Sequence, residues 1–175
     1  KDIHRQTGKT FVYITHSLEE AMVMSDRIGV MNRGRFVQIG TPNEIYGNPQ
    51  SRFVSEFMGE VNVLDVVEAP DGGVADAATG RHYVAPPIAG ASSGSLVIRP
   101  EDIRFLADPG EAENSLVGEV TNEYLLGSRV QYQVRVADRV FLVEKLRDDH
   151  PVSGRVVIGW NVRDCRVFPA PRFVQ

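Results

Sequence analysis

The sequence predicts an α+β chain in two parts. Residues 1–59 read as a mixed α/β piece, and residues 60–175 as an antiparallel β-barrel or sandwich. Three observations predict this. Residues 10–15, Thr-Phe-Val-Tyr-Ile-Thr, are a nearly unbroken β-branched and aromatic run, as in a strand buried on both faces of a parallel sheet, and a helical pattern follows at once. Helical periods then recur as far as Gly59 and stop. Beyond Gly59 come short alternating segments separated by turn residues, the spacing of a small barrel or sandwich.

The elements of the first part follow from local chemistry. Thr7-Gly8-Lys9 is a turn between a helix ending near Gln6 and the strand of residues 10–15. Ser17 can accept from the backbone N–H three residues on and Glu20 can reach back, a capping box. Leu18, Ala21, Met22 and Ser25 then share one narrow apolar or small helix face. His16 is thereby expected between the carboxyl end of a buried strand and the amino end of a helix. Open α/β sheets bind ligands there, and the helix terminus favours phosphate. Residues 28–31 and 36–39 form a hairpin whose turn, Asn32-Arg33-Gly34-Arg35, has Gly where positive φ is cheap. Thr41 caps a second helix with Pro42 first and Glu44 completing another capping box. Asn48-Pro49 opens a third, in which Phe53, Val54, Phe57 and Met58 share a side and Gly59 is the stop.

In the second part, residues 60–69 read as a strand ended by Pro70-Asp71-Gly72-Gly73, and residues 86–94 as a Pro/Ala/Gly/Ser loop. Residues 96–98 form a strand running into a Pro100-started turn. Residues 116–126 are a bent strand or strand pair with a bulge placed at Gly118. Val130, Tyr132, Val134 and Val136 alternate with Gln131, Gln133 and Arg135, a half-buried strand. Residues 140–143, 156–160 and 166–168 close the series.

Composition narrows the functional classes. With 175 residues and 42% apolar content the chain can bury one substantial core or two small ones. No apolar run approaches the roughly 20 residues that span a bilayer as a helix. A net charge of −4 gives no general attraction to nucleic acid. The single cysteine, Cys165, excludes an internal disulfide and reads as a small residue on a terminal strand. Asp148, Asp149 and His150 read as a solvated loop, since no second ligand cluster accompanies them.

Residues 10–27 resemble the switch-histidine region of ATP-binding-cassette (ABC) ATPases. The run Asp26-Arg27-Ile28-Gly29-Val30-Met31-Asn32-Arg33-Gly34-Arg35-Phe36-Val37-Gln38-Ile39-Gly40-Thr41-Pro42 resembles the stretch that closes the nucleotide-binding domain in importer ATPases. The second part resembles the transport-associated OB-like (TOBE) domain appended to importer ATPases of the polyamine, iron, phosphonate and sugar-uptake type. The matching pieces are Val97-Ile98-Arg99-Pro100-Glu101-Asp102, the region from Gly118 to Gly127, Tyr132-Gln133-Val134, Gly159-Trp160 and Val167-Phe168-Pro169. Arg99 is spaced to pair with Glu101 or Asp102 across a turn, a salt-bridged corner that needs no ligand.

The resemblance implies a truncated α/β remnant of an ABC nucleotide-binding domain over residues 1–59, followed by an antiparallel OB-like β-barrel (TOBE) over residues 60–175. It implies the ATP-hydrolysing subunit of an importer at the cytoplasmic membrane face, with ATP and Mg as cofactors of the parent. Partners would be transmembrane permease subunits, a second ATPase subunit in a homodimer and, indirectly, a solute-binding protein, with no nucleic acid. His16 would touch the γ-phosphate and orient the attacking water, and the β domain would serve dimerisation or regulation. The phosphate loop, signature and acidic Mg²⁺ strand are not in this sequence. In Gly8-Lys9-Thr10 the position of a phosphate loop's first glycine holds Ile3, and the triplet precedes a strand. The chain is therefore expected to begin inside a helix of a larger enzyme and to be inactive alone, binding no cofactor or metal. The alternative is a stand-alone OB-like module that binds a small ligand.

Overall fold

The computed structural model describes residues 6–70 and 72–170, and the chain divides into two compact units, Lys1–Gly59 and Glu60–Gln175. Of the expected first helix only Gln6 falls among the described residues, and Thr7, expected in the turn, is helical with it.

In the first unit, α1 spans Leu18–Met24, β1 Ile28–Asn32, β2 Arg35–Gly40, α2 Pro42–Gly47 and α3 Arg52–Phe57. β1 and β2 pair antiparallel, with Asn32 opposite Arg35. The two turn residues, Arg33 (φ 48°) and Gly34 (φ 76°), both take left-handed backbone, as a tight hairpin between right-twisting strands requires. Thr41 caps α2 with the complete capping box: its N–H donates to Glu44 Oε2 (2.8 Å) while the Glu44 N–H donates to Thr41 Oγ1 (3.3 Å). The third helix starts later than expected. Ser51, not Asn48, is its N-cap, accepting from the Val54 N–H. Asn48 instead ends α2, and its carbonyl receives the Gln38 side-chain amide (3.1 Å) while Gln38 Oε1 accepts from the Gln50 N–H (2.8 Å). Buried Gln38 thus fastens the hairpin to the α2–α3 link, over a core of Val30, Ile45, Val54 and Met58.

One expectation fails here. Residues 10–15 form no strand, and Phe11, Val12, Tyr13 and Ile14 are 58–92% exposed. A strand exists only through a neighbour's hydrogen-bond ladder, and no described segment of this chain pairs with residues 10–15.

Among its described residues the second unit contains ten strands: β3 (Asn62–Glu68), β4 (Val74–Asp76), β5 (His82–Tyr83), β6 (Ser93–Ile98), β7 (Arg104–Leu106), β8 (Asn114–Leu126), β9 (Arg129–Val136), β10 (Arg139–Leu146), β11 (Arg155–Trp160) and β12 (Cys165–Pro169). They make two antiparallel five-stranded sheets, ordered β12-β6-β3-β4-β5 and β10-β9-β8-β11-β7. Both sheets contribute to one core, in which Leu64, Leu96 and Ile98 meet Leu116, Tyr132, Phe141, Ile158 and Trp160. Trp160 lies between Tyr83 (ring centroids 5.6 Å) and Phe141 (6.2 Å), and its Nε1 has no hydrogen-bond partner.

Of the expected barrel or sandwich, the described residues show two open sheets around a shared core, with no closed barrel. Where β3 approaches β10, a side chain replaces the ladder. The Asn62 amide donates to the Leu142 carbonyl (2.8 Å), and Asn62 Oδ1 accepts from the Leu142 N–H (2.7 Å). The bond pair staples the sheets without extending either. Asn62→Ala is expected to cost about 2 kcal/mol, because both Leu142 backbone groups would lose their partner. Urea unfolding followed by the fluorescence of Trp160, the one tryptophan, measures it. A change under about 0.5 kcal/mol would show that water replaces the staple.

Two further differences concern β8. It is one continuous strand of 13 residues, and its irregularity falls between Val120 and Asn122, not at Gly118. Gly118 is needed for close approach instead: a Cβ there would lie 2.7 Å from the Arg135 carbonyl oxygen.

Candidate functional site

His16 sits on an exposed bend directly before the N-cap of α1. It is not at the end of a buried strand, because residues 10–15 have no ladder. Local hydrogen bonds fix the backbone on either side of it. Ser17 Oγ accepts from the Glu20 N–H (3.3 Å), which is the expected cap. The return half of the box is replaced: the Ser17 N–H donates to Thr15 Oγ1 (2.9 Å), whose own hydroxyl donates to Glu20 Oε2 (2.9 Å). The Tyr13 hydroxyl also donates to Glu20 Oε2 (2.9 Å). That bond holds Tyr13 above the usual tyrosine range and Glu20 below the usual carboxylate range. Glu20 thereby ties residues 13 and 15 to the first turn of α1, and His16 projects from the loop so closed. No periodicity in the sequence signals these contacts.

The second unit holds the Arg99-Pro100-Glu101-Asp102 motif on a single 3₁₀ turn, Pro100–Asp102, between β6 and β7. Burial, with Glu101 and Asp164 nearby, pushes the Asp102 carboxyl up to about 6 against the opposing pull of Arg99 and Arg166. Positive and negative groups do converge at this corner, and the negative ones prevail at Asp102.

Several other polar groups are held by internal bonds. Burial pushes the Cys165 thiol up to about 12, and its Sγ donates to the Val162 carbonyl (3.3 Å), so it is no nucleophile. Lys145 Nζ reaches Asp148 Oδ1 (2.7 Å) and the His150 carbonyl (2.8 Å), which closes the loop read from sequence as solvated. Among the described residues no group of three His, Cys, Asp or Glu side chains is arranged to hold a metal, and no helix is long and apolar enough to cross a membrane. An open cleft of about 600 Å³ lies beside Arg81, Tyr83 and Asn114. Its polar walls are paired internally: Arg81 Nη2 donates to the Ser115 carbonyl (2.9 Å), and the Asn114 amide bonds both Val84 backbone groups (2.8 Å each).

Residues 96–168 match the TOBE domain family. Curated relatives align over almost the whole chain. The spermidine/putrescine import ATP-binding protein PotA of Rubrobacter xylanophilus is 37% identical, the alignment covering 98% of this chain and 48% of that protein. PotA of Thermobifida fusca is 42% identical over 97% of this chain and 47% of its own length. The putrescine transport ATP-binding protein PotG of Escherichia coli is 37% identical over 95% and 48%. The chain is thus similar to the carboxyl-terminal part of ABC-importer ATP-binding proteins. It spans about half the length of the curated relatives it matches, in their carboxyl-terminal part. Among solved structures, the cytoplasmic molybdate-binding protein ModG with molybdate bound superposes with a TM-score of 0.50 at 9% identity, over 70% of this chain and 99% of that one. At that identity the likeness concerns the fold alone, and it agrees with an OB-like TOBE unit.

Proposed function

We propose that this chain is part of the ATP-hydrolysing subunit of an ABC importer of linear polyamines, working at the cytoplasmic membrane face with permease subunits, a second copy of itself and, indirectly, a solute-binding protein. Similarity to spermidine/putrescine import ATP-binding proteins over 95–98% of the chain carries this reading. ATP and Mg belong to the whole subunit, because the residues that cradle phosphates and hold the metal are not in this sequence. Residues 1–59 are the end of the nucleotide-binding domain and residues 60–175 the TOBE domain.

In this reading His16 meets the γ-phosphate and positions the attacking water. The closed loop of Tyr13, Thr15, Ser17 and Glu20 supports that role, since it fixes the backbone around an exposed imidazole. The chain's own contribution is orientation and charge stabilisation. The nucleophile is water and the phosphate cradle lies elsewhere. The second unit serves dimerisation or regulation.

Deleting the gene and measuring uptake of radiolabelled putrescine and spermidine tests the solute class. Uptake should fall at least tenfold and return with the intact gene. Unchanged uptake of both polyamines would reject polyamines as the cargo.

A further inference from the structure

Three hydrogen bonds close a ring at His16. The Ser17 N–H donates to Thr15 Oγ1 (2.9 Å), the Thr15 hydroxyl donates to Glu20 Oε2 (2.9 Å), and the Glu20 N–H donates to Ser17 Oγ (3.3 Å). The first of these closes directly over residue 16. A fourth bond braces the ring from outside, from the Tyr13 hydroxyl to the same Glu20 oxygen (2.9 Å).

The members of this ring are unequal. Thr15 and Ser17 join neighbours two residues apart, which local backbone geometry can bring together unaided. Glu20 reaches back five residues to Thr15 and seven to Tyr13, and so ties the segment before His16 to the first turn of α1 after it. Both hydroxyls converge on one oxygen, Oε2. Removing Tyr13 or Thr15 leaves the other hydroxyl on Glu20, whereas removing the carboxylate releases both.

Charge favours the same arrangement. The Tyr13 and Thr15 hydroxyls hold the Glu20 carboxyl below the usual carboxylate range, so at neutral pH it is ionised and only accepts. Among the described residues no hydrogen bond joins Glu20 to the His16 imidazole. Its influence on His16 therefore passes through the backbone of residues 15–17. Glu20 and His16 are both exposed, so these bonds add little to the stability of the fold. Their effect is local: they remove conformational freedom from the one residue they enclose.

We propose that Glu20 is a positioning residue for the reaction assigned above to His16, locking residues 15–17 so that the imidazole is presented in one orientation. The proposal rests on the reading of His16 as the γ-phosphate contact. Glu20 acts through His16 and makes no contact of its own with the reacting atoms.

A double-mutant cycle in the whole ATP-binding subunit tests it. Glu20→Ala should lower kcat roughly tenfold with the KM for ATP unchanged, because a mispositioned group loses rate and not affinity. Glu20→Gln keeps an oxygen that accepts both hydroxyls and should stay within about threefold of wild type. In a His16→Ala background, Glu20→Ala should cause no further loss, since nothing is left to position. Wild-type kcat in Glu20→Ala overturns the proposal, and so does a loss that persists in full without His16. The two failures are distinguishable. An inert His16→Ala rejects the reading of His16 and this proposal with it, whereas an impaired His16→Ala with an additive Glu20→Ala rejects only the role of Glu20.

A second measurement needs no nucleotide. In NMR spectra of the chain, Glu20→Ala should speed exchange of the Ser17 amide roughly fivefold. It should also return the Tyr13 hydroxyl toward the usual tyrosine range, above which the Glu20 bond holds it. Unchanged Ser17 exchange together with unchanged Tyr13 titration would overturn the proposal, because the ring would then be absent in solution.

Discussion

Replacing His16 by alanine in the whole ATP-binding subunit is expected to lower steady-state ATP turnover roughly a hundredfold while leaving nucleotide affinity nearly unchanged. A single preorganised donor at a developing phosphoryl charge typically contributes that much, because it acts where the transition state is more charged than the ground state. Affinity should survive, since in the proposed reading other residues of the subunit supply the phosphate cradle and the metal ligands. Fold should survive as well. His16 is exposed, and the cap and ties around it run through Ser17, Thr15 and Glu20. ATPase rates and nucleotide binding on the same variant separate the two effects. Turnover within threefold of wild type would leave His16 a surface residue and remove the catalytic part of the proposed function. Polyamine cargo is tested separately by uptake, so the two can fail independently.

Replacing Asp76 by alanine should be the most damaging single change at a polar position of the second unit, at about 3 kcal/mol. Asp76 is 2% exposed, and four donors converge on its carboxylate. The Ala78 N–H (3.0 Å), Thr79 N–H (2.9 Å) and Thr79 hydroxyl (3.0 Å) reach Oδ1, and Arg139 Nη1 reaches Oδ2 (2.7 Å). The first three close the turn between β4 and β5, and the fourth crosses to β10 in the other sheet. Arg139→Ala should cost less, about 1 kcal/mol, since the Arg139 side chain is already 36% exposed and its loss leaves the turn bonds intact.

The two carboxylates give opposite pH signatures. Burial alone would raise Asp76, but the Thr79 and Ala78 donors with Arg139 outweigh it and hold the carboxyl below the usual carboxylate range. Its stabilisation is therefore present above about pH 3.8 and is lost as the pH falls further. Asp102 loses its stabilisation in the other direction, as pH rises through about 6. Urea midpoints of Asp76→Ala against wild type should therefore converge at the acid end and separate above pH 4. A constant difference from pH 2.5 to 7 would show that the lost bonds, not the lost charge, account for the effect.

Several elements were legible in the sequence because their cause is local. The β1–β2 hairpin needed only two apolar runs and Gly34 at a left-handed position. The cap of α2 needed only Thr41, Pro42 and Glu44 in order. β9 needed only the alternation from Val130 to Val136, which the structure reproduces with Val130, Tyr132 and Val134 in the core. The importer resemblance was also legible, because the series around residues 26–42 is a linear motif. β4, β5 and β7, of two or three residues each, carry too little alternation to show a period. Asp76 fell in that same unpatterned stretch.

What the sequence by itself determined is therefore local: hairpin, helix caps, alternating strands and a family resemblance. Tertiary structure alone decided which strands pair and which polar side chains meet. Residues 10–15 have every intrinsic preference of a strand and are not one here, since a strand is completed by its neighbour. Asn62 stapling Leu142, Asp76 holding Arg139 and Asp102 beside Asp164 join residues 62–80 positions apart. No spacing rule reaches that far. Those contacts follow from the order of strands in two sheets, which only the burial of a common core could select.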